Sequence, residues 1–301
     1  MGVFDSAQDM FDKGASVVKG AVSGVAVENQ AFMRGFIRVC SDGWLQGWHE
    51  RNGGNLTYRM TDAEVESARN FFYDFPSSWV SMGVQADNLR GAYFVTTGAG
   101  RYMRNVQLDP AYNVGIVQIN DAGDSWRLVW GLRDGGRPTS EFASHFMNHS
   151  VRTAATNGAC RVMYHAHPDN IIALTKVMPL DARTITRALW KAITECIIVF
   201  PAGVGVVECM VPGSLDLARA SSELMKTYEA VIWAQHGLFC SGPDFDTTFG
   251  LMPTIEKAAK VHCQALVMNN GSGEFSNTIT DEDLRAIART YNVPVNEAFL
   301  N

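Results

Sequence analysis

The sequence predicts an α/β fold, organised as one large domain behind an N-terminal extension. Three observations carry this. The chain has 301 residues and 47% of them are apolar, enough to fill a substantial core. Short apolar runs of strand length recur, and longer stretches at helical spacing lie between them. No internal repeat or low-complexity linker divides the chain.

Taken in order, residues 1–28 read as a helical extension. Val3, Phe4, Met10 and Phe11 form an apolar stripe, followed by a half rich in glycine, alanine and serine that weakens the helix. Such an extension can pack on its own subunit or a neighbour, or dock on a partner, for example as an address tag for a microcompartment. The domain proper spans 29–301. It opens with a core-facing helix over 30–48. Next comes the turn Asn52-Gly53-Gly54-Asn55, which lets backbone approach a ligand and presents N–H groups to an anion, although most such turns bind nothing. Strands follow at 56–60 and 93–96. The second runs into Thr97-Gly98-Ala99-Gly100-Arg101, a loop able to cradle phosphate that lacks the spacing of a Walker or dinucleotide motif.

Strands at 114–119 and 126–131 are joined by a turn over 120–124. Arg137-Pro138-Thr139-Ser140-Glu141 then opens a helix, with Thr139 or Ser140 as N-cap and Glu141 in the first turn. A glutamate there ordinarily serves the helix dipole, but it can also present a carboxylate to a neighbouring site. Helices are expected over 169–177 and 184–193. Glu195 precedes a strand at 196–200. A helix over 216–228, a strand over 229–235 and helices over 249–268 and 281–291 complete the chain.

The composition excludes several classes. Net charge is −6 with no large basic block, so no nucleic-acid partner is expected. An acidic protein acting on an anion must gather positive potential locally, from a metal, arginines or backbone N–H groups. The longest apolar run, 197–207, has eleven residues and contains Pro201, Gly203 and Gly205, so no membrane span is expected. The six cysteines are scattered without a C-x-x-C pair, which suits free thiols in a reducing cytoplasm. The opening carries Asp5, Asp9 and Asp12, the wrong charge for a secretory signal, and matches a myristoylation pattern loosely at Gly2 and Ser6.

The chemistry centres on Val162-Met163-Tyr164-His165-Ala166-His167. On a strand, residues two apart share a face, so His165 and His167 can converge on one metal ion. A second apolar strand leads to His236 just before Gly237, offering a third imidazole. Three imidazoles leave positions open for water or substrate, as in a catalytic zinc site, although the same ligands take other divalent metals. The plain alternative is a pair of polar residues at a strand end.

Together these motifs resemble the class II aldolase/adducin family. The resemblance rests on Asn52-Gly53-Gly54-Asn55, Thr97-Gly98-Ala99-Gly100, Pro138-Thr139-Ser140-Glu141, His165-Ala166-His167 and His236-Gly237. Trp44-Leu45-Gln46-Gly47-Trp48, the run 104–110, Thr194-Glu195-Cys196, the run 200–205 and Ser241-Gly242-Pro243 are similar to the members that act on L-rhamnulose 1-phosphate. The resemblance covers about 30–295. It implies a three-layer α/β/α sandwich around a mainly antiparallel central sheet. It also implies a cytoplasmic homotetramer with active sites at subunit interfaces. The implied reaction is zinc-dependent cleavage of the sugar phosphate to dihydroxyacetone phosphate and L-lactaldehyde, with one zinc per subunit. By the same resemblance His165, His167 and His236 hold the zinc, and Glu141 is the acid/base. Glu195 assists from a neighbouring subunit, and Asn52, Gly54, Asn55, Gly98, Thr139 and Ser140 take the phosphate. Ala99 departs from the serine usual in this loop. A lost hydroxyl removes a donor to phosphate worth roughly 1.5–3 kcal/mol unless Arg101 or a water replaces it. Other family activities, epimerisation or dehydration of a ketose phosphate, use the same zinc site. A non-enzymatic scaffold, the reading from a different class, is expected to lose metal ligands or the base.

Overall fold

The computed structural model describes residues 25–301. The expectation of a helical extension therefore lies, for residues 1–24, outside the described residues. Val27 closes this stretch in a short 3-10 turn and is fully buried in the main core.

Nine strands form one sheet. They are β1 (Asn55–Arg59), β2 (Val80–Ser81), β3 (Tyr93–Thr97), β4 (Val114–Ile119), β5 (Ser125–Gly131), β6 (Val162–Ala166), β7 (Gly205–Val207), β8 (Ala230–Trp233) and β9 (Gly237–Gly242). Their order is β2-β5-β4-β3-β1-β6-β9-β8-β7. Every neighbouring pair is antiparallel except β7 with β8. The mainly antiparallel sheet expected from the family is thus present.

Strand alternation sorts the side chains into two layers. From β1, β4, β6 and β8, the residues Leu56, Tyr58, Val114, Ile116, Val162, Tyr164, Ala166, Ala230 and Ile232 enter the larger core. That core is completed by the helices Ala31–Leu45, Asp169–Val177, Ala182–Trp190, Phe245–Met268 and Asp281–Tyr291. The opposite face carries Val117 and Ile119 against Phe142 and Phe146, and Met163, Val231 and Trp233 against Leu217. The helices Phe142–Ala155 and Leu215–Leu224 cover that face. Helices therefore lie on both sides of the sheet.

Four expectations need correction. The apolar run after Glu195 is not a strand: Cys196–Val199 forms one helical turn, in which the Glu195 carbonyl accepts from the N–H groups of Ile198 and Val199. Its β-branched residues suggested a strand, but Cys196 and Ile197 are the pair turned inward, and pairing with β8 falls to Gly205–Val207. The helix at 142 begins after Glu141, so neither Thr139 nor Ser140 caps it in the expected way. Thr139 Oγ1 instead accepts from the Glu141 N–H at 3.3 Å, and Glu141 flanks the helix and makes no side-chain cap. β8 ends at Trp233, so His236 sits in the turn to β9 and not at a strand end. His167 lies just past the end of β6, its N–H donating to the Trp48 carbonyl at 3.1 Å.

Candidate active site

The register of the sheet assembles the site. Asn55 opens β1 opposite His165 of β6. Both point to the face covered by the Phe142–Ala155 helix, because their neighbours Leu56 and Tyr164 enter the other core. The start of that helix brings Glu141 to the same place. The β8–β9 turn adds His236, with Gln235 in the left-handed region at φ 61°.

The three histidines converge. One ligand atom from each of His165, His167 and His236 lies within 4.8 Å of the others. The His165 ring packs against Trp233 and Phe239, with centroids 4.6 and 5.9 Å away. Its Nδ1 is 3.1 Å from the Leu238 carbonyl, which requires an Nδ1–H and leaves Nε2 bare. His167 is set the same way by the Glu50 carboxylate, 2.6 Å from its Nδ1. The Nε2 atoms of His165 and His236 face each other at 3.3 Å. Two such nitrogens need a proton or a cation between them. Burial lowers the pKa of His236 to about 4 and pushes that of His165 well below its ordinary value, which keeps both rings neutral, the state in which imidazoles ligate a metal. The donor set therefore fits a divalent cation that accepts imidazoles, zinc foremost.

Glu141 is buried beside this cluster. Its Oε2 is 3.7 Å from His165 Nε2 and accepts from Asn55 Nδ2 at 2.7 Å. Burial raises its pKa, and the Asn55 bond and the His167 charge pull it partly back. A carboxyl group so placed can hold or give up a proton to a substrate beside it.

The turn Asn52-Gly53-Gly54-Asn55 presses against the histidines. A Cβ on Gly53 would lie 2.9 Å from His167 Cε1, and one on Gly54, at φ 72°, would lie 2.7 Å from the His165 carbonyl. Asn52 is exposed on this turn, whereas Asn55 is buried and engaged by Glu141. The second loop is tied to the helix start: Gly98 bridges Pro138, and the Thr139 N–H donates to the Thr97 carbonyl at 2.8 Å. Ala99, Arg137, Thr139 and Ser140 there help line a cavity of about 340 Å³. Arg101 is already committed, ion-paired to Asp134 and packed over the Tyr112 ring at 4.0 Å. It is no ready substitute for the missing serine hydroxyl. Glu195 is exposed, and its carboxylate accepts from Thr194 Oγ1 at 3.0 Å.

Sequence reasoning missed His49 and Glu50, which precede the glycine turn, and His145 and His149 on the 142–155 helix. His49 links Tyr164 OH at 2.8 Å to the Gly53 carbonyl at 3.0 Å, bracing the turn. The spacing of His145 and His149, one helical turn apart and just after Glu141, was a usable signal.

The sequence profile for the class II aldolase and adducin N-terminal domain matches residues 34–263. A rhamnulose-1-phosphate aldolase of Klebsiella pneumoniae subsp. pneumoniae is 42% identical over 262 residues, 87% of this chain and 93% of its own. The rhamnulose-1-phosphate aldolase of Escherichia coli strain K12 is also 42% identical, over 87% of this chain and 94% of its own. Among solved structures, a sugar-phosphate aldolase from Thermotoga maritima superposes with a TM-score of 0.66 at 26% identity, covering 80% of this chain and 96% of that one. An L-fuculose 1-phosphate aldolase shares the fold, with a TM-score of 0.55 at 19% identity over 88% of this chain and 97% of its own. The profile spans most of the chain and the relatives are close over nearly all of the same stretch, so the chain belongs to the class II aldolase and adducin family.

Proposed function

We propose that this chain cleaves L-rhamnulose 1-phosphate in a metal-dependent retro-aldol reaction, giving dihydroxyacetone phosphate and L-lactaldehyde. The observation that carries the reading is a three-imidazole cluster with a buried carboxyl group 3.7 Å from one of its nitrogens. It occurs in a chain 42% identical to rhamnulose-1-phosphate aldolases. The retained ligands and carboxylate speak against a scaffold.

His165, His167 and His236 are the residues that would hold the metal, zinc by their ligand type, one per subunit. When bound, a divalent metal there supplies Lewis acidity to the negative charge that develops as the carbon–carbon bond breaks. Glu141 gives its proton to the carbon left on the dihydroxyacetone phosphate side, and its raised pKa suits a group that must carry that proton. Asn52, Gly54, Gly98, Thr139 and Ser140 orient the phosphate through backbone and side-chain donors, and Asn55 holds Glu141 as it faces the substrate. Glu195, exposed on its own subunit, acts at the aldehyde oxygen of a neighbour's site, which makes a homotetramer part of the proposal. Among the described residues no helix is long and apolar enough to cross a membrane, and a cytoplasmic location is proposed with the activity.

The test is release of dihydroxyacetone phosphate from L-rhamnulose 1-phosphate by purified protein, before and after chelation and zinc readdition. Activity lost on chelation and restored by zinc supports the proposal. A zinc-loaded protein that is inert on this substrate but epimerises or dehydrates another ketose phosphate overturns it.

A further inference from the structure

Behind Glu141 runs a chain of buried polar side chains that the reaction itself does not use. Glu141 Oε2 is bonded by Asn55 Nδ2 at 2.7 Å. Asn55 Oδ1 is bonded to His145 Nε2. His145 Nδ1 meets Thr57 Oγ1 at 2.7 Å, and the same hydroxyl meets His149 Nε2 at 2.9 Å. The far nitrogen, His149 Nδ1, is buried and has no partner. Asn55, Thr57, Glu141, His145 and His149 are all buried, the two histidines completely. Register explains the line-up. Asn55 and Thr57 are two apart on β1 and so share a face, and His145 and His149 are one turn apart on the helix that covers it.

Each of these links has one donor, so the chain has two possible polarities. In the first, His149 Nε2–H donates to Thr57, the Thr57 hydroxyl donates to His145 Nδ1, His145 Nε2–H donates to Asn55 Oδ1, and Asn55 Nδ2 donates to Glu141. Every proton then has an acceptor, and His149 Nδ1 is a bare lone pair. In the reverse polarity Thr57 donates to His149 Nε2, which forces the His149 proton onto Nδ1. That N–H is buried with nothing to accept it, which leaves a desolvated donor unpaired. Asn55 would then also turn its carbonyl toward the carboxylate. A doubly protonated ring, which would break the logic, is disfavoured because burial holds His145 down to about 3 and His149 well below its ordinary value.

We infer that His149, Thr57, His145 and Asn55 form a one-way hydrogen-bond chain, polarised by its blind end, that commits Glu141 Oε2 to accepting from Asn55 and so fixes the carboxyl group that carries the reacting proton. Thr57, His145 and His149 are positioning residues: they touch neither the metal cluster nor the cavity beside Ser140 in any contact the structure shows. The step they set up is balanced. The hydroxyl that becomes the aldehyde oxygen loses its proton to the base proposed above, Glu195 of a neighbouring subunit, and as the carbon–carbon bond breaks its electron pair stays on the dihydroxyacetone phosphate carbon. The Glu141 proton goes to that carbon, and Glu141 is left as a carboxylate already held at Oε2. The inference rests on the proposed aldolase reaction for its kinetic test and on nothing beyond the fold for its structural one.

A neutron crystal structure of the wild-type protein reads the polarity directly. Deuterium on Nε2 of both His145 and His149, with both Nδ1 atoms bare, is expected. Deuterium on Nδ1 of either ring overturns the inference, whatever the enzyme's substrate. The second test compares Thr57→Val, which removes the hydroxyl at nearly constant shape, with Thr57→Ser, which keeps it. Two rates are followed: cleavage of L-rhamnulose 1-phosphate, and exchange of a carbon-bound proton of dihydroxyacetone phosphate with deuterated water, which isolates the Glu141 step. Thr57→Val is expected to lower kcat and the exchange rate together by on the order of 10- to 100-fold, with KM and zinc content unchanged, and Thr57→Ser to restore both. Equal rates for wild type and Thr57→Val overturn the inference. So does a Thr57→Val loss that follows zinc content or KM. If the wild-type protein itself neither cleaves nor exchanges, it is the proposed function that fails, and the neutron result still decides the chain.

Discussion

Glu141 Oε2 stands 3.7 Å from His165 Nε2, across a gap too long for a hydrogen bond and short enough for both to reach one substrate. The two come from different elements, a helix start and a strand, and Asn55 ties them: it pairs with His165 in the sheet and donates to Glu141 through its side chain. The relationship predicts what Glu141→Gln does. The amide keeps the shape but cannot shuttle a proton. Cleavage should fall about 10²- to 10⁴-fold while zinc binding, measured by competition with a chromophoric chelator, stays at the wild-type level. Retained cleavage would remove Glu141 from the acid/base role.

Glu50 makes a second prediction. Its carboxylate is 2.6 Å from His167 Nδ1 and fixes the ring with Nε2 toward the cluster, although the glutamate itself is 65% exposed. Outer partners of metal-bound imidazoles typically contribute 10- to 100-fold in metal affinity. Glu50→Ala should raise the zinc dissociation constant by about that factor, with kcat near wild type once zinc is saturating. An unchanged zinc affinity would reduce the pair to a surface contact.

The sequence made the strands at 114–119 and 162–166 and the helices at 169–177 and 281–291 legible because their apolar periodicity agrees with their burial. It misled at 196–199, where β-branched side chains favour a strand but the chain closes a helical turn that turns Cys196 and Ile197 into the core. The metal ligands were readable as a motif because both histidine groups end apolar runs. The positioning groups were not, since His145, His149 and Thr57 acquire meaning only through the β1–β6 register that faces them to one another. Glu50 was invisible for the same reason: its partner His167 is 117 residues away.

Gly237 shows how tightly the cluster is built. A Cβ there would lie 2.3 Å from the Ala166 carbonyl and 3.1 Å from ring carbons of both His165 and His167. The first contact is with backbone and cannot yield by a rotamer change. Gly237→Ala should therefore push the β8–β9 turn away and carry His236 with it, so zinc content drops and activity with it. Full zinc occupancy in this variant, seen by metal analysis, would contradict that packing.

The thiols offer a simple check on the free-cysteine reading. Cys40, Cys160, Cys196 and Cys240 are buried, Cys263 is intermediate, and Cys209 is exposed. Burial also pushes the Cys40 and Cys196 thiols up, the latter to about 12, which keeps them protonated and unreactive. A thiol reagent should label Cys209 first in the native protein, seen by peptide mapping, Cys263 more slowly, and the four buried cysteines only on unfolding. Fast labelling of Cys40, Cys160, Cys196 or Cys240 would mean that one of the buried sites opens.

Stability should fall on acidification well before carboxylates are protonated, and the buried histidines give the sign. Burial lowers the pKa of His145 from an ordinary 6.5 to about 3, lowers His49 to about 4, and moves His149 in the same direction. A folded-state pKa below the unfolded one means that the unfolded chain binds more protons between the two values. Stability is then complete above about pH 6.5 and is lost as pH falls toward the folded values, by up to about 1.4 kcal/mol per pH unit for each such histidine. Glu141, raised by burial, works the other way, but it is a single carboxyl against several imidazoles. Asp281, held low by Arg187 and Lys191 against the effect of burial, adds its loss only in the carboxylate range below. Urea midpoints of the chelated protein should therefore drop steadily from pH 7 to pH 5, and His149→Phe should flatten that slope. A midpoint constant across this window would mean that the histidines do not stay neutral and buried in the folded state.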